Sequence, residues 1–434
     1  MARRVAVIGA GAAGLTSARW LTDAGLEPVV FERTDAVGGL WRPDTGLAYR
    51  SLRTNTSKQK TAFSDLPFDD ALPDHPYRDQ VLEYLERYAD VTGVRPRIRF
   101  DSPVHAIERD GDGWTVDGEP FSAVVVASGL FARALEPVLR DRERFHGRIV
   151  HSRDYRDPAP YAGLRVVVAG VGSSGADIAV ELAAVARSVT VAARDVPTFT
   201  PRYHRGRPFD HRSTRLAGML PAPVTRWRTR RLLTEEYRKR GLRLERPTRK
   251  TTPGAELLDE LSAGRVTLRP ALVALEGSGA VFADGTRADA DAIVLATGYT
   301  HAFPFLPAGI PATFDGALAL YRLVFPPGVP RLAFVGLTRV SGPVFPVAEL
   351  QARWVAAVFA GRAALPSTDA MRAEIGTRIG RARAIGDDQM RVELLPYLDD
   401  IASRIGARPA LWRHPHLLVS PVSARDYRRK LREP

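Results

Sequence analysis

Two short apolar blocks frame a glycine-rich turn near the start of the chain: "RVAVIG" is a continuous run of strand length and "PVVFER" a second, with a helix-length segment between them. The order predicts strand, turn, helix and strand, the unit in which a crossover helix joins two parallel strands. The pattern recurs in the second half as "RVVVAG", the helix "ADIAVELAAVA" and the strand "SVTVAAR". Each half then returns through short alternating segments with glycine turns and closes on a glycine. Gly129 and Gly298 lie 120 and 128 residues after Gly9 and Gly170. A repeat of this kind predicts an α/β chain with two Rossmann-like dinucleotide-binding domains.

The turns carry the first chemistry. Gly9-x-Gly11-x-x-Gly14 and Gly170-x-Gly172-x-x-Gly175 each follow a strand and open a helix. In such a turn the first glycine permits the tight bend and the second lets the backbone approach a pyrophosphate. The third lets helix and strand pack closely, and the helix N-terminus receives the phosphate charge. The residues at the ends of the second strands differ. Glu32, 18 residues after Gly14, is placed to accept hydrogen bonds from a ribose diol, which suits FAD or NAD. Arg194, 19 residues after Gly175, is a cation at the matching place and favours the 2′-phosphate of NADPH, a generic surface arginine being the plainer reading.

Composition narrows what such a chain does. With 434 residues and 45% hydrophobic content it holds two or three cored domains, and with no cysteine it has no disulfide, thiolate metal site or redox dithiol. FAD and NADPH together imply hydride transfer to flavin, and dioxygen is the acceptor that needs no further protein redox group. The arginines before "VAVIGAGAAGL" resemble the start of a signal peptide, but the run is broken by glycines and continues into a helix and strand. No apolar run reaches the roughly 20 residues of a membrane span, so a soluble, cytoplasmic protein is expected. Of the net charge of +13, the stretch from Arg202 to Lys250 supplies most, with 16 Lys or Arg against four acids. A nucleic-acid or anionic-membrane surface is weighed there. A solvated, partly helical insertion is favoured, because no stacking aromatic series accompanies the charge.

Between the glycine loops stands "FHGRIVHSRDY", with Phe145, Gly147, His151 and Tyr155. This spacing resembles the identifying sequence of the flavin-containing monooxygenases. So do "VGGLWR" (37–42), "YRSLRTNTSK" (49–58), "SSGADIA", "ATGY" and "GPVFPVAELQARW" (342–354). The resemblance covers nearly the whole chain and implies an NADPH domain inserted into an FAD domain. On that reading residues 1–155 form the first part of the FAD domain, 156–300 the NADPH domain and 301–434 the completion of the first. It implies cofactor contacts at Gly39, Leu40, Trp41, Thr54, Thr56, Gly129, His151, Ser173, Ser174, Thr297, Gly298 and Gln351, besides the loop glycines. Phe145 and Tyr155 are expected to be packing residues, and His151 a hinge or NADP contact rather than a general base.

The family holds a C4a-(hydro)peroxyflavin in a dry pocket, shielded by retained NADP⁺ and by an asparagine that matches Asn55 here. An amide can donate to a developing oxyanion without changing charge, although "TNTS" alone reads as an Asx turn. Two departures are visible: Ser173 and Leu130 stand where the family usually has Asn and a small polar or His residue. Baeyer–Villiger relatives usually carry Trp at the place of Tyr155, so oxygenation of an amine or sulfide is expected and ketone oxidation is the alternative. A basic binding protein with a vestigial flavin fold is the alternative of another class. The expected partners are a small-molecule substrate, dioxygen and a second copy of the chain; no nucleic acid, metal or membrane span is expected.

Overall fold

The computed structural model describes residues 3–244, 251–314 and 317–428. Residues 245–250, which close the basic stretch, lie outside the described residues. The chain forms two compact units. The first comprises Met1–Arg42, Thr56–Ala132 and His301–Pro434, the second Pro43–Asn55 and Arg133–Thr300.

A five-stranded parallel sheet organises the first unit, in the order Leu332–Phe334, Ala123–Val126, Arg4–Ile8, Glu27–Phe31, Ile98–Arg99. Val5, Ala6 and Val7 are fully buried, as expected where helices or loops cover both faces of a parallel sheet and alternation disappears. The Ala12–Asp23 helix buries Leu15, Ala18 and Leu21 and packs on the Val344–Phe359 helix. That helix is buried over most of its length and acts as a core rod.

The second unit repeats the arrangement: Val266–Arg269, Ser188–Ala192, Arg165–Ala169, Ala292–Leu295, Arg148–His151, all parallel. Its Ser173–Ala183 helix buries Ile178, Ala179 and Leu182 and packs against the Ala255–Ser262 helix. The fifth strand comes from the "FHGRIVHSRDY" segment between the glycine loops. Arg148–His151 pairs in register with Ala292–Leu295, and residues 133–155 fold with the second unit, whereas the resemblance put residues up to 155 with the first. Residues 43–55 do the same, with the Arg50 amide donating to the Arg156 carbonyl at 2.9 Å and Tyr49 to Asp177 at 2.8 Å. These long-range contacts carry no local signature.

The basic insertion is a strand-and-helix excursion of the second unit. Its Ala222–Arg238 helix is exposed through its first turns and buries Leu232, Leu233 and Tyr237 near its end. There the Phe199 amide donates to the Tyr237 hydroxyl at 3.0 Å. Among the described residues no helix is long and apolar enough to cross a membrane.

Candidate functional site

In the first unit the glycine loop is closed from within the protein. Gly9 has φ +104°, a conformation that glycine adopts freely, and its amide donates to the Phe31 carbonyl at 2.8 Å. A Cβ on Gly14 would lie 1.7 Å from the Gly9 oxygen, so only glycine permits this packing of helix on strand. A second glycine segment crosses the loop: the Gly38 amide donates to the Ala10 carbonyl at 3.1 Å, and a Cβ on Gly11 would stand 3.4 Å from the Gly39 Cα. Leu40 and Trp41 continue this crossing as a half-buried helical turn. Glu32 is buried. Its Oε2 accepts from the Ala10 amide at 2.7 Å, and its Oε1 accepts from the Thr34 amide and hydroxyl at 3.1 and 2.9 Å. The carboxylate thus fixes the loop and retains lone-pair capacity for a diol.

The second loop shares the backbone, and among the described residues it has no such cover. Gly170 has φ +106°, and a Cβ on Gly175 would lie 2.1 Å from the Gly170 oxygen. Around Gly172, however, a Cβ would meet nothing within 4 Å. Ser173 and Ser174 sit half-exposed in the first helical turn. Arg194 follows the strand end with its side chain 87% exposed, its Nε 3.4 Å from the Asp195 carboxylate. At both Gly11 and Gly172 the helix N-terminus has no side-chain cap, which leaves backbone amides for an anion. Two uncapped, glycine-cradled helix ends fit two dinucleotides. Gly129 and Gly298, φ +82° and +90°, turn the chain after each return strand. Thr297 Oγ1 donates to the Leu135 carbonyl, and the Leu135 amide returns a bond to Gly298 O at 2.9 Å.

The remaining sequence-selected residues divide between the units. Asn55 is exposed in the second unit, its Nδ2 3.4 Å from Ser173 Oγ at the head of the second loop helix. Thr54 beside it is buried. Thr56 belongs to the first unit and pairs with Thr61 hydroxyl to hydroxyl at 2.8 Å. Gln351 is fully buried in the first unit. Its Oε1 accepts from the Gly336 amide at 2.9 Å and its Nε2 donates to Tyr397 at 2.7 Å, so its amide is engaged inside the protein.

The "FHGRIVHSRDY" residues all lie in the second unit, with Phe145 and Tyr155 in different apolar clusters. Phe145 packs in the core beside Gly147, where a Cβ would meet the Phe145 ring at 2.6 Å. His151 ends the edge strand; its Nδ1 accepts from the Arg153 amide at 3.1 Å and its ring lies edge-on to Tyr299. Burial lowers its pKa, which favours the neutral imidazole. Tyr155 donates to Glu181 at 2.7 Å, and burial raises the pKa of both groups.

A cluster that sequence reasoning missed lies beside Asn55. Tyr49 donates to Asp177 at 2.8 Å, Arg53 to Glu256 at 2.7 Å, and Arg202 bridges the two carboxylates. Burial raises the pKa of Asp177. Burial also opposes the charge on Glu256, but the Arg202 and Arg53 cations outweigh it and hold that carboxyl below its ordinary range. A faint signal existed: Ser173, Asp177 and Glu181 recur every four residues in a helix that is otherwise apolar apart from Ser174, and so share one face. In the first unit, Ser64 donates through its amide at 2.8 Å and through its hydroxyl to Glu349. Burial pushes that carboxyl up to about 7.

Residues 2–425 match the flavin-binding monooxygenase-like family. A dimethylaniline monooxygenase, N-oxide-forming, of Rattus norvegicus is 35% identical over an alignment covering 99% of this chain and 89% of that protein. The structure of S-allyl-L-cysteine S-oxygenase from Allium sativum superposes with a TM-score of 0.72 at 28% identity, covering 96% of this chain and 91% of that one. A cyclohexanone monooxygenase mutant from Rhodococcus sp. Phi1 shares the fold, with a TM-score of 0.72 at 20% identity and coverage of 94% and 98%. The chain belongs to the flavin-binding monooxygenase-like family and is a monooxygenase that uses FAD and NADPH.

Proposed function

We propose that the protein oxygenates a soft nucleophile, the nitrogen of an amine or the sulfur of a sulfide, in a small molecule. FAD is assigned to the Gly9–Gly14 loop and NADPH to the Gly170–Gly175 loop. FAD held there would supply a hydride acceptor for NADPH and a means of activating dioxygen, with one oxygen atom going to the nucleophile and the other leaving as water. The chain's own residues bind and orient. Glu32 accepts from the adenosine ribose of FAD, the uncapped helix ends hold the two pyrophosphates, and Arg194 pairs with the 2′-phosphate.

One observation supports this reading: an exposed amide, Asn55, stands 3.4 Å from Ser173 Oγ at the first residue of the second loop helix, the loop assigned above to NADPH. The role that the resemblance implies for this amide is to donate to negative charge developing on the transferred oxygen without adding a charge of its own. The N-oxide-forming relative and the S-oxygenase neighbour support the choice of nucleophile. The test offers a tertiary amine, a thioether and a cyclic ketone, with NADPH consumption, product and hydrogen peroxide measured together. N-oxide or sulfoxide is expected; lactone as the main product would replace this reading with Baeyer–Villiger oxidation. Loss of one well-placed donor costs about 2.7 to 4 kcal/mol of barrier stabilisation. Asn55→Ala should therefore still oxidise NADPH while releasing most of the electrons as peroxide, and full coupling in that variant would leave Asn55 a turn residue only.

A further inference from the structure

The contact between Asn55 and Ser173 is long, at 3.4 Å, and exposed. It is too weak to hold a flexible amide in one place. The chain just before Asn55 is pinned far better. Tyr49 Oη donates to Asp177 Oδ2 at 2.8 Å, and Arg53 Nη2 to Glu256 Oε1 at 2.7 Å. The two carboxylates stand on different helices, Ser173–Ala183 and Ala255–Ser262, and would repel one another without a cation between them. Arg202 supplies it, with Nη2 3.1 Å from Asp177 Oδ1, Nε 3.0 Å from Glu256 Oε1 and a side chain only 3% exposed. A planar guanidinium reaches both anions at once, which a lysine ammonium does less well.

We infer that Arg202 is a positioning residue, the centre of a Tyr49–Asp177–Arg202–Glu256–Arg53 clamp that sets the place of Asn55 over the head of the second loop helix. The inference rests on the role of Asn55 proposed above. Asp177 lies one helical turn beyond Ser173 on the same face, so the Tyr49 bond fixes how high the 49–55 segment rides on that helix. Arg53, two residues before Asn55, fixes its lateral position through the second helix. Arg202 is itself placed by the strand pair Thr198–Thr200 with Thr251–Pro253, which runs into the Glu256 helix. An amide displaced by about 1 Å can cost on the order of a hundredfold in the step it serves, so the clamp acts on oxygen transfer rather than on nucleotide binding.

The test combines hydrogen–deuterium exchange over residues 49–55 of the full chain with the ratio of oxygenated product to NADPH consumed. Arg53→Gln and Tyr49→Phe cut the outer links and leave the core pair. Both should speed exchange of the segment by about twofold to fivefold and raise the peroxide share while NADPH oxidation persists. Arg53→Lys, which keeps a cation for the single Glu256 contact, should restore most of the coupling. Arg202→Gln should move both readouts further in the same direction; should it fail to fold, the outer variants still decide. Unchanged exchange and coupling in Arg53→Gln and Tyr49→Phe, beside an uncoupled Asn55→Ala, would overturn the clamp and leave Arg202 a core ion pair. A fully coupled Asn55→Ala would sink the role of Asn55 instead, with the clamp's hold on the segment still decided by exchange.

Discussion

The two glycine loops have nearly superimposable chemistry in sequence and opposite surroundings in the structure. Around Gly9–Gly14 the protein supplies its own cover: Gly39 approaches Gly11, and buried Glu32 accepts three hydrogen bonds from the loop and its flank. Around Gly170–Gly175 the middle glycine has open space and the strand-end residue, Arg194, is exposed with a loose neighbour for a partner. A loop organised before its ligand arrives loses little freedom on binding and holds it long; an open one releases it readily. That difference suits a resident flavin in the first unit and a nicotinamide nucleotide that exchanges in the second.

The sharpest way to break the comparison is to add one methyl group to each loop. Gly14→Ala puts a Cβ 1.7 Å from a backbone oxygen and Gly175→Ala one at 2.1 Å. Each should destabilise by about 3 kcal/mol or more, at the upper end for overpacking, read as lost thermal stability, and in Gly14→Ala as lost flavin. Gly172→Ala meets nothing within 4 Å at φ −69°. Its stability should stay within about 0.5 kcal/mol of wild type while the KM for NADPH rises. An unfolded Gly172→Ala would show that the second loop is as closed as the first.

Acidity gives the next contrast, between Glu349 and Asp291, since burial raises Asp177 and Glu181 in the second unit as well. Burial raises Glu349 in the first unit from 4.5 to about 7, against the lowering effects of the Ser64 bonds and Arg353 and with Asp65 nearby. The fold therefore binds this proton more tightly than the unfolded chain does. The stabilisation is complete below about pH 4.5 and is lost as pH rises through about 7, a change of about 3 kcal/mol. In the second unit the hydrogen bonds from Arg165 hold Asp291 at about 2, so it contributes no slope in that window. Thermal unfolding across the range should show the fall in the wild type and in Asp291→Asn, and a flatter profile in Glu349→Gln. An equal slope in Glu349→Gln would remove Glu349 as its source.

Glu32→Ala probes the closure of the first loop alone. It leaves the Ala10 amide and the Thr34 donors without their buried acceptor, at about 1–3 kcal/mol. Flavin released on denaturation should fall well below one per chain, with NADPH affinity unaffected. Full occupancy would mean that Gly39 and the helix end suffice.

Much of this contrast was legible in the sequence, and its omissions have a physical pattern. Apolar runs of strand length located both central strands, and the glycine spacing located both loops, because each is a local constraint written within about 30 residues. Glu32 and Arg194 fell at the strand ends for the same reason. Their difference in burial was not readable, since Gly39 covers one loop from beyond the repeat. That Arg148–His151 is a sheet strand was not readable, because its partner, Ala292–Leu295, lies more than a hundred residues away. Gln351 drew notice by resemblance, yet its amide is engaged between Gly336 and Tyr397. Arg202 was one arginine in a basic stretch, and nothing local marks the one that is buried.

The smallest expected effect is the most informative about the second loop. Arg194, the cation proposed to pair with the 2′-phosphate, is 87% exposed, and the Asp195 carboxylate beside it, itself 65% exposed, stands 3.4 Å away. A charge-assisted hydrogen bond to a phosphate contributes about 1.5 to 3 kcal/mol where water is excluded. Exposure places Arg194 at the low end, so Arg194→Ala should narrow the preference for NADPH over NADH by about tenfold. The loss should appear in KM for NADPH and leave kcat and the KM for NADH nearly unchanged, because the 2′-phosphate is remote from the hydride. Raising salt should erode the wild-type preference toward that of the variant, as screening does for an exposed pair. Asp195→Asn, which removes the competing carboxylate, should shift the preference the opposite way. If Arg194→Ala discriminates as well as the wild type at every salt concentration, the 2′-phosphate is read by another cation, and the open loop owes its selectivity to the basic insertion that follows residue 200.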